Sequence, residues 1–302
     1  MGETWMDFKQ LHTFAVVAKE QNFSRAAELL NYSQSTVSEH IHALERELGV
    51  PLFDRLGRGV LLTEAGKRIL VHVENLSGIE QQIRSIALGC DEPCGTLVIG
   101  APESIIAYRL PRVLVEFRKR FPKVELKFQL GTCAELRSSL EVGAVDIALL
   151  IEAPVAADNL ITEGLINEQI VLVSAPSHPL AEMDAIEAAD LTGEVLLMVE
   201  STRGGWSYRE IFENEMVETD VRPSQWLEFS SVEAIKQCAI SGVGIALLPE
   251  ITVRHEIADK KLKICGWPSI QIPTQMAWNK HRWISSAMQS FMRVVKEIDM
   301  AP

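Results

Sequence analysis

The stretch Phe23-Ser24-Arg25-Ala26-Ala27-Glu28-Leu29-Leu30-Asn31-Tyr32-Ser33-Gln34-Ser35-Thr36-Val37-Ser38 holds two helix starts close together. Ser24 is placed to cap a short helix, Arg25 to Leu30, and Ser33 to cap a longer one. A serine hydroxyl at such a position accepts from the free N–H groups of the first turn. Ala26 and Ala27 are small, as helices in close approach require. In the longer helix Val37, Ile41, Leu44 and Leu48 recur at spacings of three and four and predict one buried face. Its other face begins with Gln34, Ser35, Thr36 and Ser38, and Gly49 ends it. Upstream, Phe8, Leu11, Phe14, Ala15 and Ala18 predict a further amphipathic helix. Downstream, Pro51-Leu52-Phe53 leads into a hairpin-like stretch, Asp54–Leu62, carrying Arg55 and Arg58.

Three helices followed by an arginine-bearing hairpin is the order of a winged helix-turn-helix. In that motif the recognition helix presents its N-terminal residues to base edges in the major groove of duplex DNA. Gln34, Ser35, Thr36 and Ser38 can each donate and accept there, whereas Arg25, Arg55 and Arg58 suit backbone phosphates. Three packed helices facing only water would share the spacing; the order of elements favours DNA. Charge points the other way. The formal net charge is −12, and residues 1–60 carry six basic against eight acidic side chains. Bulk attraction to phosphates is thereby excluded, so any DNA binding depends on where the few arginines sit.

The motifs become specific when read together. Leu11-His12-Thr13-Phe14, Phe23 to Leu30, Ser33 to Ser38, Ala43-Leu44-Glu45, Glu47-Leu48-Gly49, Leu52-Phe53-Asp54-Arg55 and Leu62-Thr63-Glu64-Ala65-Gly66 resemble the LysR-type transcriptional regulators of bacteria. The resemblance spans essentially the whole chain. It implies that Gln34, Ser35, Thr36 and Ser38 lie on the base-reading side, with Arg25, Arg55 and Arg58 near the backbone; the capping Ser33 is expected among the DNA contacts. Glu39 departs from it, standing where the family often has arginine. A glutamate there either accepts from cytosine N4 or faces solvent.

Thr63 to about Leu88 contains no proline and predicts a helix roughly 39 Å long at 1.5 Å per residue. Ile69, Val73, Leu76 and Ile83 form its apolar stripe, and Gly89 to Pro93 breaks it. The resemblance implies a dimerising linker helix, which would give a homodimer or homotetramer and place two recognition helices on one promoter. The expected organisation is therefore a winged helix-turn-helix over 7–66, a linker helix over 63–89 and an effector domain over 94–302.

From Gly95 onward short apolar strands alternate with helices, the pattern of α/β layers. Strands are expected at Thr96–Gly100, Val124–Leu130, Val145–Ile151, Glu168–Ala175, Val195–Val199, Gln225–Phe229, Gly244–Leu248 and Thr274–Trp278. Helices are expected at Ile105–Arg120, Cys133–Glu141, Gly205–Met216, Val232–Ile240 and Ser285–Ile298. The two sets predict two lobes of a periplasmic-binding-protein-like domain, one from 94–167 with 268–302 and the other from 168–267. Ligands of open α/β sheets bind beyond the carboxyl ends of strands, where helix N-termini offer N–H groups. Ser104, Ile105, Thr132, Thr202, Arg203, Ser231 and Gly244 occupy such turns and are the expected effector contacts. Hydroxyls and Arg203 favour a small anion, a carboxylate. Glu103 would oppose one, so it either points away or selects a ligand with a donor group.

Other classes find little support. No apolar run approaches the length of a membrane span, and the first residues lack the pattern of an export signal, so a cytoplasmic protein is expected. A solute-binding protein would have that signal and no DNA-reading head. The sequence has no G-x-S-x-G, H-E-x-x-H or P-loop motif, so neither catalysis nor a metal or cofactor is expected. Five cysteines, Cys90, Cys94, Cys133, Cys238 and Cys265, favour reduced thiols over a disulfide framework. A thiol-based redox regulator of the same family, through Cys133 or Cys238, is the alternative. RNA polymerase is a further candidate partner.

Overall fold

The computed structural model describes residues 7–56, 59–87, 92–153, 159–200 and 207–298. The chain divides into two compact units, Met1–Asp91 with His281–Ser285 and Glu92–Lys280 with Ser286–Pro302.

The first unit runs α1 (Phe8–Glu20), α2 (Phe23–Leu30), α3 (Gln34–Leu48), β1 (Phe53–Leu56), β2 (Gly59–Leu62) and α4 (Glu64–Ala87). Asp7 caps α1, and Gln21 ends it in the left-handed region at φ 48°. The cap of α2 is Asn22, not the expected Ser24. Its side-chain oxygen accepts from the N–H groups of Ser24 at 2.9 Å and Arg25 at 3.1 Å. Phe23 is thereby drawn into the first turn, where its ring meets Phe53 edge-on at 6.0 Å. Ser33 caps α3 by accepting from the Thr36 N–H at 3.1 Å, and Gly49 closes it at φ 70°. Leu11, Phe14, Val17, Ala26, Ala27, Val37, Ile41, Leu44, Leu52 and Phe53 form the shared core.

Two side chains join the wing to this core. Glu45 of α3 accepts from the N–H groups of Leu52 at 2.7 Å and Phe53 at 3.3 Å, satisfying backbone donors where the chain leaves the helix. Thr63 donates to the Pro51 carbonyl at 2.8 Å, and α4 then passes so close that a Cβ on Gly66 would lie 2.2 Å from the Leu52 carbonyl oxygen. The apolar stripe of α4 is divided. Val73 is buried in the winged-helix core, with Ile69 and Leu76 packed against it, whereas Ile83 is 61% exposed. The expected dimerisation face is corrected accordingly: its first half covers the chain's own domain, and among the described residues of the stripe Ile79 and Ile83 stay open.

The second unit runs β3 (Gly95–Ala101), α5 (Glu103–Tyr108), α6 (Leu110–Arg120), β4 (Val124–Leu130), α7 (Cys133–Glu141), β5 (Ile147–Ile151), β6 (Leu160–Ser174), β7 (Val195–Val199), α8 (Tyr208–Glu218), β8 (Gln225–Phe229), α9 (Val232–Ile240), β9 (Ile245–Pro249), α10 (Glu250–Ala258), β10 (Lys263–Ile264), β11 (Ile270–Asn279) and α11 (Ser286–Glu297). The sheet order is β4-β3-β5-β11-β6-β9-β7-β8, with β10 on β6. Two parallel sets, β4-β3-β5 and β8-β7-β9, are joined through antiparallel β11 and β6. The long β6 passes from one lobe to the other: Leu160 to Ile170 pairs with β11, and Ile170 to Val173 pairs with β9. At the passage Glu168 is buried and takes Nε and Nη2 of Arg109 at 2.8 and 2.7 Å.

The single helix expected over Ile105–Arg120 is broken into α5 and α6 at Arg109. Pro111 stands in the first turn of α6, where it has no N–H to continue an earlier helix and its ring collides with the carbonyl four residues back. The helix α10 and the short β10 lie outside the expected elements, since neither carries a strong apolar period.

Candidate functional site

In the first unit the residues expected at DNA gather on the start of α3. Ser33 Oγ lies 2.7 Å from Ser35 Oγ and 2.8 Å from Thr36 Oγ1, an interlinked hydroxyl cluster at the helix N-terminus. Gln34 and Ser35 are exposed, and Ser38 follows on the same helix, half-buried. Arg25 is exposed on α2 and pairs with Glu20 at 2.8 Å. Arg55 lies on β1 and Arg58 lies outside the described residues; the side-chain surroundings of neither are described. Glu39 is exposed and makes no hydrogen bond or ion pair among the described residues. Behind α3, Thr13 Oγ1 of α1 lies 2.9 Å from His40 Nδ1 and fixes the angle between the two helices.

In the second unit a cavity of about 300 Å³ opens between the lobes, within the range of small-molecule pockets. Glu103, Ser104, Thr132, Cys133 and Glu135 line it from one side, and Glu200, Tyr208, Arg209, Phe229 and Val232 from the other. Of the expected contacts, Ser104 and Thr132 face it. Ile105 is fully buried and outside the lining. Ser231 donates to Glu103 at 3.3 Å beside it. Gly244 does not line it: a Cβ there would meet the Val195 carbonyl oxygen at 2.4 Å, so this glycine serves the close approach of β9 to β7. Thr202 and Arg203 lie outside the described residues.

The helix N-termini expected to receive an anion already have partners. At α7, Thr132 and Glu135 form a reciprocal capping box, with Glu135 Oε2 accepting from the Thr132 N–H at 2.8 Å. At α8, Ser207 and Glu210 do the same. At α9 the acceptor comes from the opposite lobe: Glu103 Oε2 takes the Val232 N–H at 2.6 Å. Glu103 does not point away; it ties the lobes together. Tyr108 adds a second tie, its hydroxyl accepting from the buried Lys236 Nζ at 3.0 Å. Three carboxylates at three helix starts remove the support on which a simple anion was expected, among the described residues.

Tyr208 and Arg209 escaped the sequence reading because they fall inside a predicted helix, where an aromatic reads as core. Burial pushes the Tyr208 hydroxyl well above its ordinary pKa, neighbouring Cys133 adds to this, and Arg209 opposes it. Burial likewise pushes the Cys133 thiol up to about 12, with Glu152 adding, and its sulfur lies 3.6 Å from the Ile151 carbonyl oxygen. Such a thiol is a poor nucleophile and a poor redox sensor.

Residues 8–67 match the family model for the bacterial regulatory helix-turn-helix protein of the lysR family, and residues 91–299 match the LysR substrate binding domain. The chain belongs to the LysR family. Its relatives within that family include an uncharacterized HTH-type transcriptional regulator of Bacillus subtilis, YwqM, 38% identical over 97% of this chain and 99% of the relative. Among solved structures, a full-length OxyR variant from Pseudomonas aeruginosa superposes with a TM-score of 0.74 at 24% identity, covering 99% of this chain and 97% of that one. Full-length LysG from Corynebacterium glutamicum, with bound effector Arg, superposes at 0.71 and 20% identity, covering 96% and 97%. Likenesses at that identity establish the fold alone. This LysR protein is thus a transcriptional regulator with a helix-turn-helix head and an effector-binding domain of two α/β lobes. No described helix is long and apolar enough to cross a membrane.

Proposed function

We propose that this LysR-type regulator reads promoter DNA in the cytoplasm with Ser33, Gln34, Ser35, Thr36 and Ser38 at base edges. Arg25, Arg55 and Arg58 hold the phosphates, as a homodimer or homotetramer, and RNA polymerase is the partner to which the result is passed. The observation that carries this reading is the exposed hydroxyl and amide cluster at the start of α3, on a helix whose other face is locked into the core. Two copies compensate for the shortage of basic residues, and the open Ile83 end of α4 is the surface left for pairing. Promoter occupancy is modulated by a small molecule held between the lobes, with Ser104 and Thr132 among its contacts, and Thr202 and Arg203 expected beside them. A ligand there shifts the balance between lobe arrangements by binding one better than the other. An anionic ligand would now depend on Arg203; the described lining favours a ligand with donor groups. Of the two thiols of the redox alternative, Cys133 is disfavoured because its surroundings push its pKa up; Cys238, half-buried on α9, is left as the candidate.

The reading is tested by footprinting and by binding at several salt concentrations. Gln34→Ala with Ser38→Ala is expected to relax sequence preference. Arg55→Ala is expected to weaken binding to all sequences and lower the salt slope by roughly one. Unchanged footprints and slopes in these variants would refute the docking arrangement.

A further inference from the structure

The described walls of the cleft carry three carboxylates and one arginine, and the arginine is engaged. Arg209 gives Nε to Glu213 at 2.6 Å, Nη1 to the Val199 carbonyl at 2.8 Å and Nη2 to Glu228 at 2.6 Å. The carboxylates keep capacity to accept. A carboxylate offers about four lone-pair positions, and Glu103 uses two, for the Ser231 hydroxyl and the Val232 N–H. Glu135 receives both of its bonds from Thr132 on Oε2, leaving Oε1 open. Glu200 is exposed at the rim and makes no side-chain bond among the described residues.

Two hydroxyls supply an independent sign. Ser104 and Tyr208, from opposite lobes, are 5% and 8% exposed and line the cavity. Neither hydroxyl has a hydrogen-bond partner among the described residues. Both oxygens keep contact with the cavity space and are not sealed into the protein, so each is open to a polar group bound there.

We propose that the cleft takes a small ligand bearing a protonated nitrogen, an amine or a guanidine, whose N–H groups donate to Glu103 and Glu135 while Ser104 and Tyr208 hold its polar end. The proposal rests on the cleft being the effector site. An anion would face the same carboxylates with no uncommitted cation on the described walls. Because Glu103 also bonds α9 across the cleft, a donor that binds it adds to a contact already joining the lobes, and occupancy favours the closed arrangement.

The test is titration calorimetry on the full-length protein with agmatine, cadaverine and benzamidine, set against succinate and benzoate. At least one of the cationic probes is expected to bind, with affinity falling roughly tenfold or more in Glu103→Gln and in Glu135→Gln, the loss typical of a charge-assisted bond. Glu135→Gln is the control for lobe opening, since it leaves the Glu103 bond to α9 intact. Tyr208→Phe is expected to weaken binding several-fold. Binding of the carboxylates alone, lost in Arg203→Ala, would overturn the ligand class and leave the effector reading standing. Binding by none of the five probes also overturns the class. A Ser104→Trp protein, its cleft blocked, that still responds at its promoter as the wild type does would overturn the effector reading itself.

Discussion

Replacing Arg109 by methionine should strand the Glu168 carboxylate at the point where β6 passes between the lobes. The guanidinium meets both carboxylate oxygens, at 2.8 and 2.7 Å, and both residues are buried. The Thr274 hydroxyl, 3.5 Å from Oε1, is too distant to hold the charge alone. Removing one partner of such a pair costs about 3–5 kcal/mol, because the other charge is left in low dielectric. Replacing both by apolar residues of similar volume is often neutral or stabilising, so Arg109→Met with Glu168→Met is expected to recover most of the loss. Urea unfolding followed by tryptophan fluorescence reads this out, since Trp267 and Trp278 are buried in the same unit. With a slope of about 3 kcal/mol per molar urea, the single variant should unfold roughly 1–1.7 M earlier and the double variant close to wild type. A single variant within about 0.5 kcal/mol of wild type would show that water or other groups already solvate Glu168. A double variant worse than either single would refute the claim that charge stranding, and not lost packing, sets the cost.

Three further outcomes are expected. Gly66→Ala forces a methyl against the Leu52 carbonyl oxygen and should destabilise the winged-helix unit by about 1–3 kcal/mol, seen as an earlier first transition in calorimetry; an unchanged transition would mean that α4 can move aside. Val73→Ala should cost that unit about 2 kcal/mol without altering oligomeric state, whereas Ile83→Ser should weaken association in analytical ultracentrifugation with little effect on folding. The reverse pattern would restore the whole stripe to the dimer face. Iodoacetamide should modify Cys133 far more slowly than a free thiol at pH 8, with the rate still rising toward pH 12, because burial penalises the thiolate. Rapid labelling at neutral pH would restore Cys133 as a redox candidate.

The elements that were legible in the sequence are those whose signal is local. The α3 helix begins at Gln34 after the Ser33 cap and ends at Gly49, because a cap and a left-handed residue act within one turn. The strands Val124–Leu130, Val195–Val199 and Gln225–Phe229 and the helices Cys133–Glu141 and Val232–Ile240 also fall where alternation and caps place them. The readings that shifted each involve a choice between neighbours. Asn22 and Ser24 can both cap, and the packing of Phe23 on Phe53 favours the earlier start. Pro111 decides the break that apolar spacing alone bridged. The β6 strand extends well upstream of Glu168 because β11 is there to pair with it, and pairing partners have no local signature.

By itself, then, the amino-acid sequence determined the family, the order of domains and the bounds of α3, since apolar period, caps and motif order are carried by residues close together in the chain. Only the tertiary structure decided which half of the α4 stripe is covered, because burial of Val73 depends on the core assembled by α1 to α3. It alone placed Tyr208 at the cleft. It alone gave Glu103 its role as the acceptor at α9, a bond between residues 129 positions apart. Such contacts depend on how two lobes meet in space, and electrostatic character at a cleft is a sum over all the groups brought there. The sequence offered hydroxyls and one arginine; the fold set carboxylates among them.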